Sequence, residues 1–378
     1  MSGVTKDAEH HQAFQGENEA ALLITSLRGL PFVVPGEIDW QTLQRMAEEN
    51  GVLALVYRSL LEMGSALPEV FTSAAKRVRN GADKLATELE GLLGCFAERN
   101  IDVLPLKGPA LSSVLYGDAA LRTCKDLDLL VRRADFSRAE ALLSERGFTA
   151  GEINDSERRF SRDGVLVELH FDITSPQVYQ FDLERIWDRS RRESFRGKPM
   201  HVMSDDDLVL FLCSHGLSHG FSRLIWILDV ARALAAMRPN SYRALMVRAQ
   251  REGLEAWLLI GCEVVRAMFP EQLPEAMDAV ISESPEAVER ARLTVSRIFA
   301  EGLGGVANTY GKFYLESGDS DVKRWRYRLS FLAPTTEDYR WAERHKVNRR
   351  LMPILRPFRL LQKYGPARAW RMIFPTRI

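Results

Sequence analysis

The sequence predicts an α+β fold that is predominantly helical, with a small α/β unit between two helical regions. Residues 18–100 carry apolar side chains at helical spacing. Residues 101–204 instead contain short apolar runs separated by turn dipeptides, and the helical pattern returns at residue 205. The 378-residue chain is 46% hydrophobic and 27% charged, which is typical of a globular protein with a substantial core.

The N-terminal helical region, residues 18–100, follows a polar stretch over residues 1–17 that predicts a flexible tail. Asp39 is a typical N-cap for a helix over residues 40–49, which ends at Asn50-Gly51. A second helix is predicted over residues 52–63. A long helix should then run over residues 68–100, because its leucines and Phe96 recur at helical spacing.

The α/β unit, residues 101–204, begins with two predicted strands joined by a short helix. Pro109 is suited to the first turn of that helix. Asp135 is predicted to cap a following helix, and the dipeptide Asp163-Gly164 predicts a hairpin turn. The predicted strands are 103–106, 127–131, 158–161 and 165–173; the predicted helices are 109–116 and 136–146; and 117–125 is a loop.

The C-terminal half is predicted to consist of a helical region, residues 205–302, and a basic helical segment, residues 303–378. Residues 321–378 hold 15 basic and 4 acidic side chains, although the net charge of the whole chain is zero. This imbalance suggests a polyanionic partner such as nucleic acid, a membrane surface, or contact with the acidic remainder of the chain. Ordinary amphipathic helices, with arginine stems covering apolar surface, are the alternative.

Several classes of protein are disfavoured by what the sequence lacks. No stretch approaches 18 uninterrupted apolar residues, so no transmembrane segment is predicted. The four cysteines are scattered, which favours reduced thiols in the cytoplasm over a disulfide framework or a zinc site. The glycines at 302–305 are not followed by Gly-Lys-Ser/Thr, so this run is no phosphate-binding Walker loop and predicts a break between helices.

Three carboxylates are candidate catalytic residues and metal ligands. Asp126 and Asp128 are two positions apart at the start of a predicted strand, so both side chains should lie on one face of it. Glu168 lies on another strand and would join them if the two strands pair. Such a cluster is relieved by divalent cations, and three carboxylates can hold two Mg²⁺ ions. His170 and Asp172 share the strand face of Glu168 and compete with it for the third position.

Residues around the first turn are suited to binding phosphate. Gly108 lets a phosphate approach the backbone at a helix N-terminus, and Lys107 adds a positive charge. Arg122 and Lys125, which precede the carboxylates, are candidates for further phosphate contacts. Arg122 could instead form a structural ion pair with Asp126 or Asp128.

His215 and His219 are four residues apart on a predicted helix, as in a two-histidine zinc face. Gly216 occupies the position where a zinc metalloprotease of this pattern has glutamate, so we reject that interpretation. Packing or hydrogen bonding near the active-site cleft is the favoured role, with Asp229 as a candidate partner.

The order of these motifs resembles the uncharacterised nucleotidyltransferase family of the DNA polymerase β-like superfamily. The resemblance covers roughly residues 37–235 and includes Asn50-Gly-Val52 upstream and His215, His219 and Leu224-Ile-Trp-Ile-Leu-Asp229 downstream. The motifs of the α/β unit are Val103-Leu-Pro-Leu-Lys-Gly-Pro-Ala-Leu111, Leu115-Tyr-Gly117, Leu121-Arg122, Asp126-Leu-Asp-Leu-Leu-Val131, Gly147-Phe148 and Val167-Glu-Leu-His-Phe-Asp172.

This resemblance implies a small mixed-sheet nucleotidyltransferase core between helical regions. It implies Mg²⁺-dependent transfer of a nucleoside monophosphate from an NTP to a hydroxyl of an unknown acceptor, a small molecule, peptide or protein. Asp126 and Asp128 would bind the metal, with Glu168 as the third carboxylate. The wider superfamily has Gly-Ser where this chain has Lys107-Gly108, and this departure supports the alternative of a non-catalytic protein that binds a nucleotide or a partner in a biosynthetic pathway.

Overall fold

A computed structural model describes residues 17–174, 179, 181–300, 334 and 336–366. The helices are α1 Glu17–Leu27, α2 Trp40–Glu49, α3 Leu53–Glu62, α4 Glu69–Glu98, α5 Gly108–Tyr116, α6 Phe136–Glu145, α7 Leu183–Arg189, α8 Asp205–Ser218, α9 Leu224–Ala236, α10 Tyr242–Glu252, α11 Glu255–Met268, α12 Glu275–Ile281, α13 Pro285–Ala300, α14 Thr336–Arg344 and α15 Met352–Tyr364. The strands are β1 Val103–Pro105, β2 Leu127–Val131, β3 Thr149–Ile153, β4 Glu157–Arg162, β5 Val165–His170, β6 Arg191–Phe195 and β7 Lys198–Val202. The predicted class, a predominantly helical α+β fold around a mixed sheet, is confirmed.

The N-terminal helices form where the sequence predicts them. The Asp39 carboxylate caps α2 by accepting hydrogen bonds from the backbone N–H groups of Gln41, at 3.0 Å, and Thr42, at 3.2 Å. Helix α4 is 30 residues long and buries Leu89, Leu92 and Phe96 against the sheet. The long helix therefore supplies one wall of the sheet's core.

The main sheet has five strands in the order β1-β2-β5-β4-β3. Strand β2 pairs antiparallel with β1 and parallel with β5, and the remaining pairs are antiparallel. Leu127, Leu129 and Val131 of β2 are buried in the core cluster that also contains residues of α4. This leaves Asp128 on the opposite face, as the alternation of a strand requires.

Four elements of the α/β unit were not predicted, namely strands β3, β6 and β7 and helix α7. Strands β3 and β6 are mostly exposed and lack apolar alternation, so the sequence contains no signal for them. Helix α7 is only seven residues long. The predicted cap by Asp135 is wrong: a 3₁₀ turn at Arg133–Asp135 precedes α6, and the Asp135 carboxylate accepts a hydrogen bond from Arg138 instead.

The larger core cluster joins both helical regions. It contains Leu53 and Phe71 from the N-terminal helices together with Leu228 and Leu258 from α9 and α11. Within the described ranges, none of the helices is both long and apolar enough to cross a membrane. The predicted break at 302–305, the tail at 1–16, and residues 303–333 and 367–378 of the basic segment lie outside the described residues.

Candidate active site

Two of the three predicted carboxylates lie directly opposite one another. Asp128 of β2 is in register with Glu168 of β5 in the parallel pair, and Asp126 immediately precedes β2. Asp128 is only 2% exposed, whereas Asp126 and Glu168 are partly buried. The pairing on which the sequence argument depended is therefore present.

The Lys107-Gly108 turn lies against these carboxylates. The backbone N–H of Leu106 donates to the carbonyl oxygen of Asp128 at 2.9 Å, and the Lys107 ammonium lies 3.0 Å from Asp128 Oδ1. Gly108 has a φ of +71°, and a Cβ there would lie 3.4 Å from the carbonyl oxygen of Asp126, so glycine suits both the conformation and the close approach. Burial lowers the pKa of Lys107, but attraction to Asp128 outweighs this effect and raises it above its ordinary value.

His170, which competed with Glu168 in the sequence argument, joins the cluster as a third group. Its Nε2 lies 3.3 Å from Asp128 Oδ1, and its Nδ1 lies 3.4 Å from Glu157 on the adjacent strand. Burial lowers the pKa of His170, but the bond to Asp128 and the charge of Glu157 outweigh burial and raise it. Asp172 lies beyond the end of β5, and its carboxylate accepts a hydrogen bond from the N–H of Ile173.

The cluster has the donor set of a divalent-cation site. One ligand atom each from Asp128, Glu168 and His170 lies within 4.8 Å of the others. Burial and then the charge of Asp128 raise the pKa of Asp126, and burial and then the charge of Glu157 raise that of Glu168. Burial is the largest cause of both shifts, and Arg159 Nε donates to Glu168 Oε1 at 3.0 Å. Carboxylate oxygens are the ligands that Mg²⁺ prefers.

Two basic groups, Lys107 and His170, face one oxygen of the Asp128 carboxylate. Burial alone would raise its pKa, but the Lys107 ammonium and the hydrogen bond from His170 hold that pKa well below its usual range. Asp128 is therefore the carboxylate that stays ionised most readily, and it forms the centre of the cluster.

Arg122 has a partner that the sequence argument did not consider for it. Its guanidinium Nε donates to Asp229 Oδ2 at 2.9 Å, and the hydroxyl of Tyr116 donates to Asp229 Oδ1 at 2.8 Å. The Arg122 side chain is 6% exposed and that of Asp229 is fully buried. The proposed pairing of Asp229 with the histidines is therefore wrong, and the ion pair instead anchors the loop that leads to Asp126. A lone aspartate within the apolar run of α9 was the only sequence signal for such a pair.

The remaining predicted residues surround this centre. Lys125 is exposed on the loop next to Asp126. His215 lies on α8 and His219 directly follows that helix, and both are within electrostatic range of Lys107. Burial raises the pKa of the Cys124 thiol to about 11 and that of Cys213 to about 12, so neither thiol is an activated nucleophile at neutral pH.

A mixed sheet that brings carboxylates together on parallel strands, beside a lysine-glycine turn that starts a helix, defines a nucleotidyltransferase-type core. The model of the family described as "Uncharacterised nucleotidyltransferase" matches residues 36–270, more than half of the chain, and the chain belongs to that family. Membership in this family supports a nucleotidyltransfer activity.

Two solved structures show limited similarity. The solution structure of the antibiotic-resistance factor ANT(2'')-Ia is 15% identical with a TM-score of 0.30, and the match covers 58% of this chain and 95% of that one. The crystal structure of an antigenic nucleotidyltransferase-like protein from Paracoccidioides brasiliensis is 19% identical with a TM-score of 0.33, covering 58% and 98%. No curated protein matches the chain.

Proposed function

We propose that the protein transfers a nucleoside monophosphate from an NTP to a hydroxyl of an acceptor, in a reaction that depends on Mg²⁺. The observation that carries this proposal is the register of Asp128 and Glu168 on parallel strands, with Asp126 beside them and the Lys107 ammonium on Asp128. The acceptor is a small molecule, a peptide or a protein. The cytoplasmic location expected from the sequence stays a prediction.

The roles follow from charge and burial. Asp126, Asp128 and Glu168 would hold one or two Mg²⁺ ions, which when bound neutralise the triphosphate and favour ionisation of the attacking hydroxyl. Lys107 and the free N–H groups at the start of α5 would hold phosphate oxygens, with exposed Lys125 nearby. Because Arg122 is bound to Asp229, we assign it the positioning of the loop rather than direct phosphate contact.

A second candidate is nucleotide binding without turnover, as in an accessory protein of a biosynthetic pathway. It is favoured by the two groups, Lys107 Nζ and His170 Nε2, that already face the same Asp128 oxygen. A carboxylate with these partners has less need of a metal. The two candidates differ in one measurable step, because only the enzyme releases pyrophosphate from the NTP.

The test uses the full chain with Mg²⁺, each α-labelled NTP and a cell extract as the source of acceptor. Label transfer is measured for Asp126→Asn, Asp128→Asn and Glu168→Gln. Calorimetry measures the binding of the NTP to the same three variants. We expect transfer to fall by about 100-fold or more in each variant, since electrostatic stabilisation of this kind contributes factors of that order. Glu184→Gln is the matched control, because this carboxylate is 81% exposed on α7.

Each outcome discriminates between the candidates. Mg²⁺-dependent NTP binding without transfer of label or release of pyrophosphate would favour the binding protein. Transfer that persists in the three cluster variants would contradict the mechanism, and the absence of NTP binding in the unaltered protein would contradict the site itself.

A further inference from the structure

The turn between α8 and α9 has an unusual construction that sets two histidines beside a tryptophan. Gly216, near the end of α8, is required for this turn, because a Cβ at position 216 would lie 2.2 Å from the ring of the fully buried Phe221. Asn50 fixes the start of α9 by accepting hydrogen bonds from the N–H of Leu224 through its side chain, at 3.2 Å, and from that of Ile225 through its carbonyl, at 3.3 Å. Gly216 and Asn50 thus hold the first turn of α9 against the end of α8.

Three rings meet at this junction. The centroids of His219 and Trp226 are 4.9 Å apart with an interplanar angle of 32°, and His215 contacts both edge-on at 4.8 and 5.6 Å. Arg223 places its guanidinium carbon 5.8 Å from the Trp226 centroid. His219 is exposed, and His215 and Trp226 are partly buried. We call His215, His219 and Trp226 the imidazole–indole patch.

The patch lies near the acidic cluster. The charges of Lys107, Arg122 and Asp128 act on His215, and that of Lys107 acts on His219. In addition, α9 packs against α5, the helix that begins at the Lys107-Gly108 turn. A nucleotide with its phosphates at the Lys107-Gly108 turn would therefore lie close to the patch.

The two imidazoles are not suited to bind phosphate. Burial and then the charge of Lys107 lower the pKa of both His215 and His219, which favours the neutral form of each ring. A neutral imidazole attracts no anion, but its flat face stacks on another ring and its nitrogens can donate or accept one hydrogen bond each. The chemistry of the patch thus matches an uncharged, planar, aromatic group with polar edges.

From this geometry we infer that the imidazole–indole patch binds the nucleobase of the donor NTP, with the exposed His219 as the ring that the base contacts first. This inference rests on the proposed function, because it takes the triphosphate to lie at the acidic cluster and Lys107. Stacking of a base on an aromatic side chain is tolerant of base identity, so the patch would strengthen binding of all four nucleotides.

The test separates binding of the base from binding of the phosphates. Calorimetry in the presence of Mg²⁺ measures the binding of ATP, GTP, CTP, UTP and inorganic tripolyphosphate, which has phosphates but no base. We expect His219→Ala and Trp226→Leu to weaken NTP binding by about 10-fold, within the range for loss of one stacked base, and to leave tripolyphosphate binding unchanged. His345→Ala is the matched control, since His345 is also an exposed imidazole stacked on a tryptophan, Trp341, at 4.5 Å. That variant should bind both ligands as the unaltered protein does.

The outcomes distinguish this inference from the function on which it rests. If His219→Ala and Trp226→Leu bind NTPs normally while Asp128→Asn does not, the patch is not a base site and the proposed function stands. If the two patch variants keep full NTP binding but lose label transfer, the patch serves the acceptor, which also overturns the inference. If the unaltered protein binds neither an NTP nor tripolyphosphate, the proposed function fails and the inference with it.

Discussion

Arg122 and Asp229 form an ion pair from which water is almost entirely excluded. The Asp229 carboxylate has both oxygens occupied, one by Arg122 and one by the Tyr116 hydroxyl. A buried ion pair of this kind contributes little net stability, but the removal of one partner leaves a charge in a medium that cannot solvate it. The pair therefore holds the loop before Asp126 because breaking it would be costly, and not because the intact pair adds much net stability.

For Asp229→Asn we expect a loss of about 3–5 kcal/mol in the free energy of unfolding, because Arg122 would keep its charge without a counter-charge. Urea denaturation followed by circular dichroism measures this loss. Glu283→Gln is the control: it breaks the pair with Arg243 at the surface, where both side chains are more than half exposed. An unfolding midpoint of Asp229→Asn equal to that of the control would show that the pair does not hold the loop.

At the residue scale, the strand positions of the carboxylates could be predicted from the sequence, but their partners could not. Asp126, Asp128 and Glu168 follow strand periodicity, which is a local property and can be counted. The partner of Arg122 lies 107 positions along the chain, on a helix in another region, and no local pattern specifies it. The contact of Lys107 with Asp128 likewise depends on the pairing of β1 with β2, which no local pattern in the sequence specifies.

At the scale of elements, the α8–α9 junction depends on one glycine. Gly216 lies within α8, where glycine costs roughly 0.5–1 kcal/mol relative to alanine in a helix. It is nevertheless needed, because the Phe221 ring occupies the space that a side chain would take. Phe221 itself has a φ of +45°, an uncommon conformation for a bulky residue, and is held there by complete burial.

Gly216→Ala and Gly91→Ala should therefore have effects of opposite sign. We expect the first to destabilise the protein by about 1–3 kcal/mol, as overpacking does in a filled core. Gly91 lies within α4, and no atom is within 4 Å of a Cβ placed there, so alanine should stabilise the protein by roughly 0.5–1 kcal/mol. Thermal unfolding of both variants measures the difference, and a destabilised Gly91→Ala would contradict this account.

The elements themselves were predictable where a pattern repeats. The helices α2 to α4 and the hairpin of β4 and β5 carry caps, periodic leucines or an Asp-Gly turn. The hairpin of β6 and β7 was missed because its first strand is polar and exposed, so it is stabilised by its pairing and by contact with α4 rather than by its own alternation. Short exposed strands of this kind are specified by their neighbours.

At the scale of the whole molecule, Asp207 links three helices through one carboxylate. It is 3% exposed at the start of α8 and accepts hydrogen bonds from Arg189 of α7, at 2.7 and 2.8 Å, and from Arg248 of α10. Ser204 adds a hydrogen bond to the same carboxylate, and Glu252 also binds Arg248. Burial alone would raise the pKa of Asp207, but these donors outweigh it and lower the pKa below the ordinary value of 3.8.

The sign of the pH dependence follows from this shift. Because the pKa of Asp207 is lower in the folded than in the unfolded protein, its contribution to stability is fully present above about pH 4 and is lost as the pH falls further. We expect Asp207→Asn to be less stable than the unaltered protein at pH 7 and to lose less stability between pH 4 and pH 2. Urea midpoints across that range measure the two slopes, and equal slopes would contradict a role for Asp207 in acid unfolding.

The residues that meet through the parallel pairing of β2 with β5 are far apart in the chain, so they are synthesised at different times. His170 follows Asp128 by 42 positions, and a ribosome adds about 5–20 residues per second, so β5 is completed roughly two to eight seconds after Asp128 is made. Of the two described basic groups that face Asp128 Oδ1, Lys107 precedes Asp128 in the chain and is synthesised first, and His170 follows. The nascent chain thus carries the ammonium counter-ion of the aspartate first, and the proposed metal site would be complete only when β5 has been added to the sheet.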